Sequence, residues 1–428
     1  MKRFLCIFLT ICMCLSFALL FSACDEKPAD QPPPEEPKEG QVLLNGVPLE
    51  QYMIVYPEGD SDMEEAAGYF AAYAKTILSV KMQSMSDQQA STEYELLLGN
   101  TNRGTSLDQS VMLTKDEYYI APLAKKVCIS GIFPTMMYAA IDNFLSSFVK
   151  VGNDMCFDLT APKKGSDFSH LRIMTYNLLA STNNTNRDYE RIDMVLDLIE
   201  KYEPDIFGVQ EAMPNWKNSL CERFGDRYDY VGIAPHADGS GGRNHIFYLK
   251  SKFDLLDSGT RWLSETPDVP GSAVEGSKYI RIYTYAKLKD KTTGKVFLHV
   301  NTHLDNSAKN EEQALILMNE ISAYNTEKLP CFITADFNFR SDSNGYKSII
   351  EEGYVDSFDA AHYKRNVTDK SIAVDGLISR KDLIDHIFVT SDLKVQYYQL
   401  CTEKYARENG EIVQPSDHRP VFMDCVLP

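Results

Sequence analysis

Apolar and polar residues divide the first part of the chain into short periodic segments. The apolar run YMIVY (52–56) precedes DMEEAAGYFAAYAKTIL (62–78), whose apolar residues recur at helical spacing after an acidic first turn. YELLLGN and KVCISG then predict strands that end at glycine, and MMYAAIDNFLSSF predicts a second helix. This order predicts a smaller α/β region between about residues 41 and 160.

From LRIMTYN (171–177) onward, apolar strands dominate and helices are fewer. RDYERIDMVLDLIEKY (187–202) carries an apolar stripe and predicts a helix, and further helices are predicted near 308–324 and 343–351. The other predicted strands are DIFGVQE, IFYL, IRIYTYAKL, KVFLHVNTHL, CFITADFN, LIDHIFV and VFMDCV. Strands of alternating and continuous apolar type, mixed with helices, predict two sheets packed face to face and covered by helices. APKKGSDFS (161–169) is the predicted linker between the two regions.

The amino terminus has the pattern of an export signal. Lys2 and Arg3 precede the apolar run FLCIFLTICMCLSFALLF, and small residues follow it. LLFSAC resembles the lipobox of bacterial lipoproteins, which implies cleavage before Cys24 and lipidation of this residue; an ordinary secretory peptide is the alternative. DEKPADQPPPEEPKEG (25–40) cannot build a core and predicts an extended tether. We therefore expect an extracytoplasmic protein anchored by lipid to the cell membrane.

Composition and charge narrow the classes of function. The chain has 428 residues, 44% of them hydrophobic and 24% charged, which fits two folded units. The formal net charge of −18 argues against tight nonspecific binding to nucleic acid, unless a local basic groove or metal ions compensate. The ten cysteines form no C-x-x-C pair, which argues against zinc and redox motifs.

Polar residues cluster where the predicted strands end, which is where ligands usually bind at a sheet edge. Each residue alone has a structural alternative as a turn, capping or core residue. A charged residue inside an apolar strand additionally demands a partner. The clusters are Asn177 in TYN, Glu211 in VQE, His303 in NTHLD, Asp336 and Asn338 in TADFN, Asp417 and His418 in SDH, and Asp385 within the strand IDHIF.

These clusters, in this order, resemble those of the endonuclease/exonuclease/phosphatase superfamily. That superfamily includes pancreatic deoxyribonuclease, abasic-site endonucleases, neutral sphingomyelinases and inositol polyphosphate 5-phosphatases. The resemblance covers residues 171–428. It implies a four-layer α/β/β/α sandwich with a metal-dependent site at one edge of the paired sheets.

The resemblance also implies roles for individual residues. A phosphate ester repels hydroxide, so a divalent cation is expected, and carboxylates suit Mg²⁺ or Mn²⁺. Glu211 and Asp417 are the expected metal ligands, and Asn177 is expected near the metal or phosphate. Asp336 would orient or deprotonate the attacking water, and Asn338 would hold the water or a phosphate oxygen.

Two histidines and an arginine complete the expected site. His418, polarised by Asp385, would stabilise negative charge on the phosphoryl group. His303 would hydrogen-bond a phosphate oxygen or the leaving group. Arg243 in GGRNHIFYLK could contact phosphate, and a solvated loop arginine is the alternative.

The first region resembles the noncatalytic N-terminal α/β domain of bacterial α-glucuronidases. The shared segments are NGVPLEQYMIVYP, the Ala-rich helix, LLLGNTNR, ISG and YAAIDNFL. This resemblance implies an accessory module that contacts glycans or only packs. The predicted organisation is a signal at 1–24, a tether at 25–40, the accessory domain at 41–165 and the catalytic domain at 166–428.

We therefore expect a metal-dependent phosphoesterase, with a phosphodiester favoured over a phosphomonoester as the bond hydrolysed. The first alternative is an extracellular nuclease. The second is a glycan-binding surface lipoprotein whose catalytic domain is inactive.

Overall fold

The computed structural model describes residues 40–103, 113–167, 169–180, 187–368, 377–407 and 409–428. The predicted signal with Cys24, and the predicted tether up to residue 39, lie outside the described residues. Within the described ranges, no helix is both long and apolar enough to cross a membrane.

The first region is built on a six-stranded mixed sheet. Its strands lie in the order Lys163–Ser166, Glu117–Leu123, Lys126–Gly131, Glu95–Leu98, Met53–Tyr56 and Gln83–Ser86. Met53–Tyr56 pairs in parallel with both of its neighbours, as a strand followed by a crossover helix does. A smaller sheet contains Val47–Pro48, Val42–Leu44, Asp154–Phe157 and Val149–Val151.

Two helices cover this sheet. Asp60 caps the helix Ser61–Leu78 by accepting hydrogen bonds from two backbone N–H groups of its first turn. The buried face of this helix is rich in alanine, and its Phe70 lies 5.6 Å from Phe144 of the helix Pro134–Ser146, measured between ring centroids. The first region is thus the small α/β domain that the sequence predicts.

The second region contains two larger sheets. A seven-stranded sheet has the order Tyr228–Val231, Ile246–Leu249, Ile206–Gln210, His170–Asn177, Val421–Val426, Lys394–Leu400 and Tyr363–Arg365. A six-stranded sheet has the order Phe253–Trp262, Ile282–Asp290, Val296–His303, Cys331–Asp336, Asp385–Thr390 and Tyr354–Asp356. Minor elements are the strand pairs Val367–Thr368 with Ile378–Ser379 and Tyr405–Ala406 with Ile412–Val413, the short helix Ser357–Ala360, and the 3-10 turns Leu49–Gln51 and Arg380–Asp382.

Buried residues show how the two sheets and their helices are layered. An apolar cluster that includes Phe297 and Met423 fills the space between the sheets. Further clusters join each sheet to its own helices. The helices Arg187–Tyr202 and Pro214–Phe224 cover the seven-stranded sheet, and Lys309–Tyr324 and Asn344–Glu351 cover the six-stranded sheet. The predicted four-layer α/β/β/α sandwich is confirmed.

The interface between the two sheets contains a polar group of buried side chains. Asn301 Nδ2 donates hydrogen bonds to the carbonyls of Val209 and His245, at 2.9 Å each. Gln210 Nε2 donates to Asn301 Oδ1 at 2.7 Å. Gly208 faces the same group, and a Cβ there would lie 2.4 Å from Thr334 Oγ1. Only glycine fits at this position without displacing a neighbour.

A buried ionic network joins the two regions. Arg172 is fully buried, and its guanidinium donates to Asp116 Oδ1 at 2.7 Å and to the carbonyl of Lys115 at 2.8 Å. Thr135 Oγ1 donates to Asp424 Oδ2 at 2.8 Å, and Nδ1 of His170 lies 2.5 Å from Asp424 Oδ1. Because these charges are buried, each depends on its partners, and Asp116 and Thr135 supply partners from the first region.

The prediction of a linker at 161–169 is wrong in its central part. Lys163–Ser166 pairs with Glu117–Leu123 and forms an edge strand of the first sheet. Asp167 then contacts His170, with 3.3 Å between the carboxylate and Nε2. The chain therefore passes from one region to the next without an extended connection.

Candidate functional site

Strand pairing gathers the predicted polar residues at one edge of the sandwich. In the six-stranded sheet, His303 pairs with Asp336, and Asp336 pairs with Asp385 on the next strand. In the seven-stranded sheet, Asn177 ends one strand, and Glu211 directly follows the parallel neighbour. The register of the two sheets therefore places five of the predicted residues close together.

Asn177 connects the two sheets through its side-chain amide. Its Nδ2 atom donates to Asp336 Oδ2 at 2.9 Å and to Glu211 Oε1 at 3.3 Å. Its Oδ1 atom accepts a hydrogen bond from the backbone N–H of Leu179 at 3.0 Å. These contacts fix the amide between two carboxylates of different sheets.

Glu211 has an uncommon backbone conformation, with φ of 58°. This left-handed conformation costs a residue with a Cβ roughly 1–2 kcal/mol, and such strain concentrates at functional sites. Its Oε2 atom accepts a hydrogen bond from the N–H of Ala180 at 2.5 Å. Gly242 allows the close approach here, since a Cβ on it would lie 3.0 Å from the Cα of Glu211. The strained turn directs the carboxylate toward Asn177.

Asn338 links Asp336 to His303. Its backbone N–H donates to Asp336 Oδ1 at 2.9 Å, and its Nδ2 lies 3.0 Å from His303 Nε2 and 2.9 Å from the carbonyl of Leu304. Burial and the nearby positive charges of Arg281 and His418 hold the pKa of His303 well below its usual range. His303 is therefore neutral near pH 7, and its Nε2 atom accepts the hydrogen bond from the Asn338 amide.

His418 and Asp385 form a charged pair. His418 Nδ1 lies 2.7 Å from Asp385 Oδ2, and Nε2 lies 3.6 Å from Asp336 Oδ2. Burial lowers the pKa of His418, but the hydrogen bond to Asp385 and the charges of Asp385, Asp336 and Asp417 outweigh it and raise the pKa to about 10. The structure thus holds an imidazolium beside the carboxylates.

The site is short of positive charge, which fits a divalent cation. Burial and the Asp385 carboxylate raise the pKa of Asp336 to about 7. Within the described part of the chain, the buried Oδ1 atom of Asp385 has no hydrogen-bond partner. Glu211, whose carboxylate accepts a hydrogen bond from the Asn177 amide, could hold Mg²⁺ or Mn²⁺, because these ions prefer carboxylate oxygens.

A second cluster of residues has the spacing of a metal site, but its histidine is protonated and so is not available to a metal. Asp336, Asp385 and His418 each offer one atom, all within 4.8 Å of one another. An imidazole must be neutral to bind a metal, whereas Asp385 keeps His418 protonated. Asp417 is exposed beside this group, and its role as a metal ligand stays a prediction.

Arg243 lies next to the site but uses its guanidinium within its own loop. Its backbone forms a β-bridge with Ala212, one residue after Glu211. Its Nη1 and Nη2 atoms donate to the carbonyls of Gly241 and Gly239, at 2.9 and 2.6 Å. Arg243 therefore stabilises the loop near Glu211. The contact of Arg243 with substrate stays a prediction.

Arg281 is a residue of the site that the sequence analysis missed. It directly precedes the strand Ile282–Asp290, and its guanidinium interacts electrostatically with Asp336, Glu211 and Asp305. Because this strand runs antiparallel to Val296–His303, its beginning lies at the same edge as His303. A search for charged residues just before antiparallel strands would have found it.

Arg191 and Ser416 support the segment that carries His418, and the sequence analysis missed them too. Arg191 is buried and donates to the carbonyl of Pro415 at 2.8 Å and to that of Leu178 at 3.1 Å. Ser416 Oγ donates to the carbonyl of Asn177 at 2.8 Å. These bonds tie the segment that bears His418 to the strand end that bears Asn177.

The arrangement brings together chemical groups that suit an anionic ester. Carboxylates are available for a cation, and the His418 imidazolium supplies positive charge beside them. The buried Asp336 carboxylate, with its raised pKa, is suited to accept a proton from water. Neutral His303 and the Asn338 amide add groups that can hydrogen-bond oxygen atoms.

Comparisons with known proteins agree with this geometry. A family model described as the Endonuclease/Exonuclease/phosphatase family matches residues 174–418. No curated protein matches the chain significantly.

Solved structures of similar sequence come from Bacteroides. An endonuclease/exonuclease/phosphatase family protein of Bacteroides thetaiotaomicron is 30% identical, with a TM-score of 0.55 over 60% of this chain and 98% of the other. A mannosyl-6-phosphatase of the same organism is 30% identical, with a TM-score of 0.54 over 60% of this chain and 100% of the other. A protein of Bacteroides vulgatus is 30% identical, with a TM-score of 0.53 over 60% and 99% of the two chains.

Proposed function

Because the chain belongs to the endonuclease/exonuclease/phosphatase family, we propose that it hydrolyses phosphoester bonds with the help of Mg²⁺ or Mn²⁺. The observation that carries this proposal is the contact between the two sheets at Asp336. Its carboxylate meets the Asn177 amide at 2.9 Å and faces the His418 imidazole at 3.6 Å. A carboxylate between a charged imidazole and a fixed amide is suited to act on water beside an anionic ester.

The bound cation would neutralise charge on a phosphate oxygen, and Glu211 would hold it, with Asp417 as the second expected ligand. Asn177 keeps the carboxylates of Glu211 and Asp336 apart and oriented. The left-handed turn at Glu211 brings its carboxylate to the site without a long loop.

Asp336 and Asn338 would position the attacking water, because a carboxylate accepts its proton and an amide fixes its oxygen. His418 would stabilise the negative charge that develops on the phosphoryl group, since Asp385 keeps its imidazole charged. His303 would hydrogen-bond a phosphate oxygen or the leaving group through its neutral ring.

The direct test uses the purified chain with bis-p-nitrophenyl phosphate and p-nitrophenyl phosphate, in Mg²⁺, Mn²⁺ or EDTA. We expect turnover of at least one ester that EDTA abolishes. Asp336→Asn should lower kcat by ~10²-fold or more, because it removes the proton acceptor. Asp342→Asn, at an exposed aspartate six residues along the same segment, is the matched control and should change little.

Two results would contradict the assignment. One is the absence of metal-dependent turnover with either ester. The other is equal activity of Asp336→Asn and Asp342→Asn while both variants melt at the temperature of the unaltered chain.

A sugar phosphate is a second candidate substrate, favoured by the 30% identity to a mannosyl-6-phosphatase. Release of inorganic phosphate from a panel of hexose phosphates would test it. The nuclease alternative predicts cleavage of plasmid DNA or RNA. The net charge of −18 disfavours long nucleic acids as ligands, so we expect such cleavage to be weak.

We also propose that Cys24 carries lipid and holds the protein at the outer face of the cytoplasmic membrane. The support is the sequence alone: the charged start, the apolar run and LLFSAC. Cys24→Ser should release the protein from membranes and abolish labelling with radioactive palmitate. Cys14→Ser, within the apolar run, is the control and should leave both unchanged.

The first region is proposed to contact a glycan. A cleft of about 1350 Å³ lies between the two regions, and both contribute tyrosines to it. Tyr69 stacks on Tyr73 at 5.5 Å, and Asp142 and Gln396 also line the cleft. Aromatic faces beside polar groups suit sugar rings. If the catalytic assignment fails, binding here would support the alternative of an inactive glycan-binding lipoprotein.

A glycan array probed with the whole chain tests this contact. We expect Tyr73→Ala to lose the bound glycan signals and Tyr405→Ala, outside the cleft, to keep them. Equal signals with both variants, or no signal with the unaltered chain, would leave the first region with packing as its role.

A further inference from the structure

Arg281 carries a charge that the described contacts leave unsatisfied. Its Nε atom is buried and has no hydrogen-bond partner among the described residues. Arginine has five N–H donors in a planar fork, and a desolvated donor without a partner is costly. An oxyanion bound at the Nη atoms of the same guanidinium would offset this cost by stabilising the charge.

The surrounding residues hold Arg281 in one place. The centre of its guanidinium lies 4.8 Å from the centroid of the Tyr279 ring. Asp305 Oδ2 accepts hydrogen bonds from the backbone N–H groups of Lys278 and Tyr279, at 2.7 and 3.0 Å. Asp305, the last residue of NTHLD, therefore anchors the segment that leads into Arg281. Tyr279 and Asp305 therefore fix the position of the Arg281 guanidinium.

Arg281 lies among the catalytic residues without pairing to them. Asp336 and Glu211 act on it electrostatically, and it contributes to the low pKa of His303. Within the described ranges, however, none of its nitrogen atoms forms an ion pair within 4.0 Å. A cation that is close to carboxylates but not bound to them is available to a ligand that sits between them.

The chemistry of the ester decides which ligand fits. A phosphomonoester has three nonbridging oxygens and up to two negative charges, whereas a phosphodiester has two such oxygens and one charge. A divalent cation and the His418 imidazolium would neutralise the charge on two of the nonbridging oxygens. His303 and the Asn338 amide are neutral donors or acceptors, so the second negative charge of a monoester still needs a cationic group. A guanidinium supplies that charge and binds oxygen pairs in a fixed fork.

We propose that Arg281 binds the oxygens of a terminal phosphate and makes the site selective for phosphomonoesters. This inference rests on the proposed function for the place of the reaction. It departs from the expectation, drawn from the sequence, that a phosphodiester is the favoured bond.

The test compares two esters with one set of variants of the full chain in Mg²⁺. Arg281→Met should lower kcat/KM for p-nitrophenyl phosphate ~10- to 100-fold more than for bis-p-nitrophenyl phosphate, since a charge-assisted hydrogen bond is lost for the monoester. Arg281→Lys should recover part of the loss. Arg261→Met is the matched control, because Arg261 pairs with Asp268 and Glu320 away from the site.

Binding of inorganic phosphate gives a second readout that needs no turnover. Isothermal titration in Mg²⁺ should show a Kd raised ~10- to 100-fold by Arg281→Met and unchanged by Arg261→Met. The inference would be overturned if Arg281→Met lowered kcat/KM equally for the two esters. It would also be overturned if Arg281→Met left the Kd for phosphate unchanged. If the unaltered chain hydrolyses neither ester, the proposed function fails, and the phosphate titration still decides the role of Arg281.

Discussion

His418 and Asp385 are joined by a hydrogen bond of 2.7 Å, and we expect the two residues to act in catalysis as one unit. His418→Ala removes the imidazolium, and Asp385→Asn removes the charge that maintains it. We expect each variant to lower kcat by ~10²- to 10⁴-fold. The double variant should be little worse than either single one, because groups that act as a unit are not additive. Additive losses in kcat, measured with proteins of equal thermal stability, would show that the two residues act separately.

Glu211 should control metal affinity rather than the fold. Glu211→Gln keeps the shape of the side chain but removes its charge, so we expect the Mg²⁺ concentration for half-maximal activity to rise at least ~10-fold. The stabilisation of the protein against heat by Mg²⁺ should fall in parallel, since a ligand stabilises only as it binds. Glu222→Gln, at an exposed position of the next helix, should leave both measurements unchanged. A normal Mg²⁺ response in Glu211→Gln would place the ion elsewhere.

The sequence predicted the residues that end strands better than those that begin them. Asn177, His303 and Asp336 are each the last residue of a mostly apolar strand, so their position at a sheet edge follows from local pattern. Arg281 reaches the same edge only because its strand runs antiparallel to the strand that bears His303. Only the pairing of these two strands, which a short turn connects, marks Arg281 as a residue of that edge.

Among secondary-structure elements, those with a long and regular apolar pattern were predicted, and several with a weak or interrupted pattern were missed. The helix Arg187–Tyr202 begins and ends where its apolar stripe does. The strand Phe253–Trp262 was missed because most of its residues are exposed or half-buried. Lys394–Leu400 was missed because a register shift between Val395 and Tyr397 breaks the alternation of apolar residues. Lys163–Ser166, predicted as linker, is held by backbone pairing and has no apolar signal.

The strand Ile206–Gln210 should tolerate no side chain at Gly208. In Gly208→Ala, the new Cβ would lie 2.4 Å from Thr334 Oγ1 and 2.6 Å from Asn301 Oδ1. Relieving this clash must move the sheets apart or break the polar group between them, at a cost of ~1–3 kcal/mol. Urea unfolding should report this loss of free energy of unfolding. Gly294→Ser, with no atom within 4 Å of its Cβ, is a control for glycine replacement, although its φ of 73° adds strain. A loss in Gly208→Ala no larger than in this control would contradict the packing argument.

At the scale of the whole molecule, contacts between the two regions could not be predicted. Arg172 stands in an apolar strand, and its partners Asp116 and Asp424 are 56 and 252 residues away in a chain of 428. Nothing in the local pattern distinguishes such a residue from one that faces solvent. The sequence pattern therefore predicted a smaller α/β region before the sandwich but not the buried ionic network that joins the two.

That network should make stability depend on pH through His170. Burial lowers the pKa of His170, but the carboxylates of Asp424 and Asp167 outweigh it and raise the pKa from 6.5 to about 9. The folded state therefore holds the proton more tightly than the unfolded state. The resulting stabilisation is fully present below pH 6.5 and is lost as the pH rises through about 9, and it amounts to roughly 3 kcal/mol at most.

Urea unfolding of the full chain between pH 6 and 9.5 measures this effect. We expect the difference in unfolding free energy between the unaltered chain and His170→Gln to shrink steadily across this interval, because only the former carries the titrating imidazole. His362→Gln replaces an exposed histidine of the same interface and is the control for histidine replacement, with the decline expected to be specific to His170→Gln. Since Asp424 also accepts the hydrogen bond from Thr135, loss of the His170 charge should weaken the hold of the first region on the second. A difference for His170→Gln that stays constant with pH would mean that His170 is neutral in the folded protein and that Arg172 alone balances Asp424.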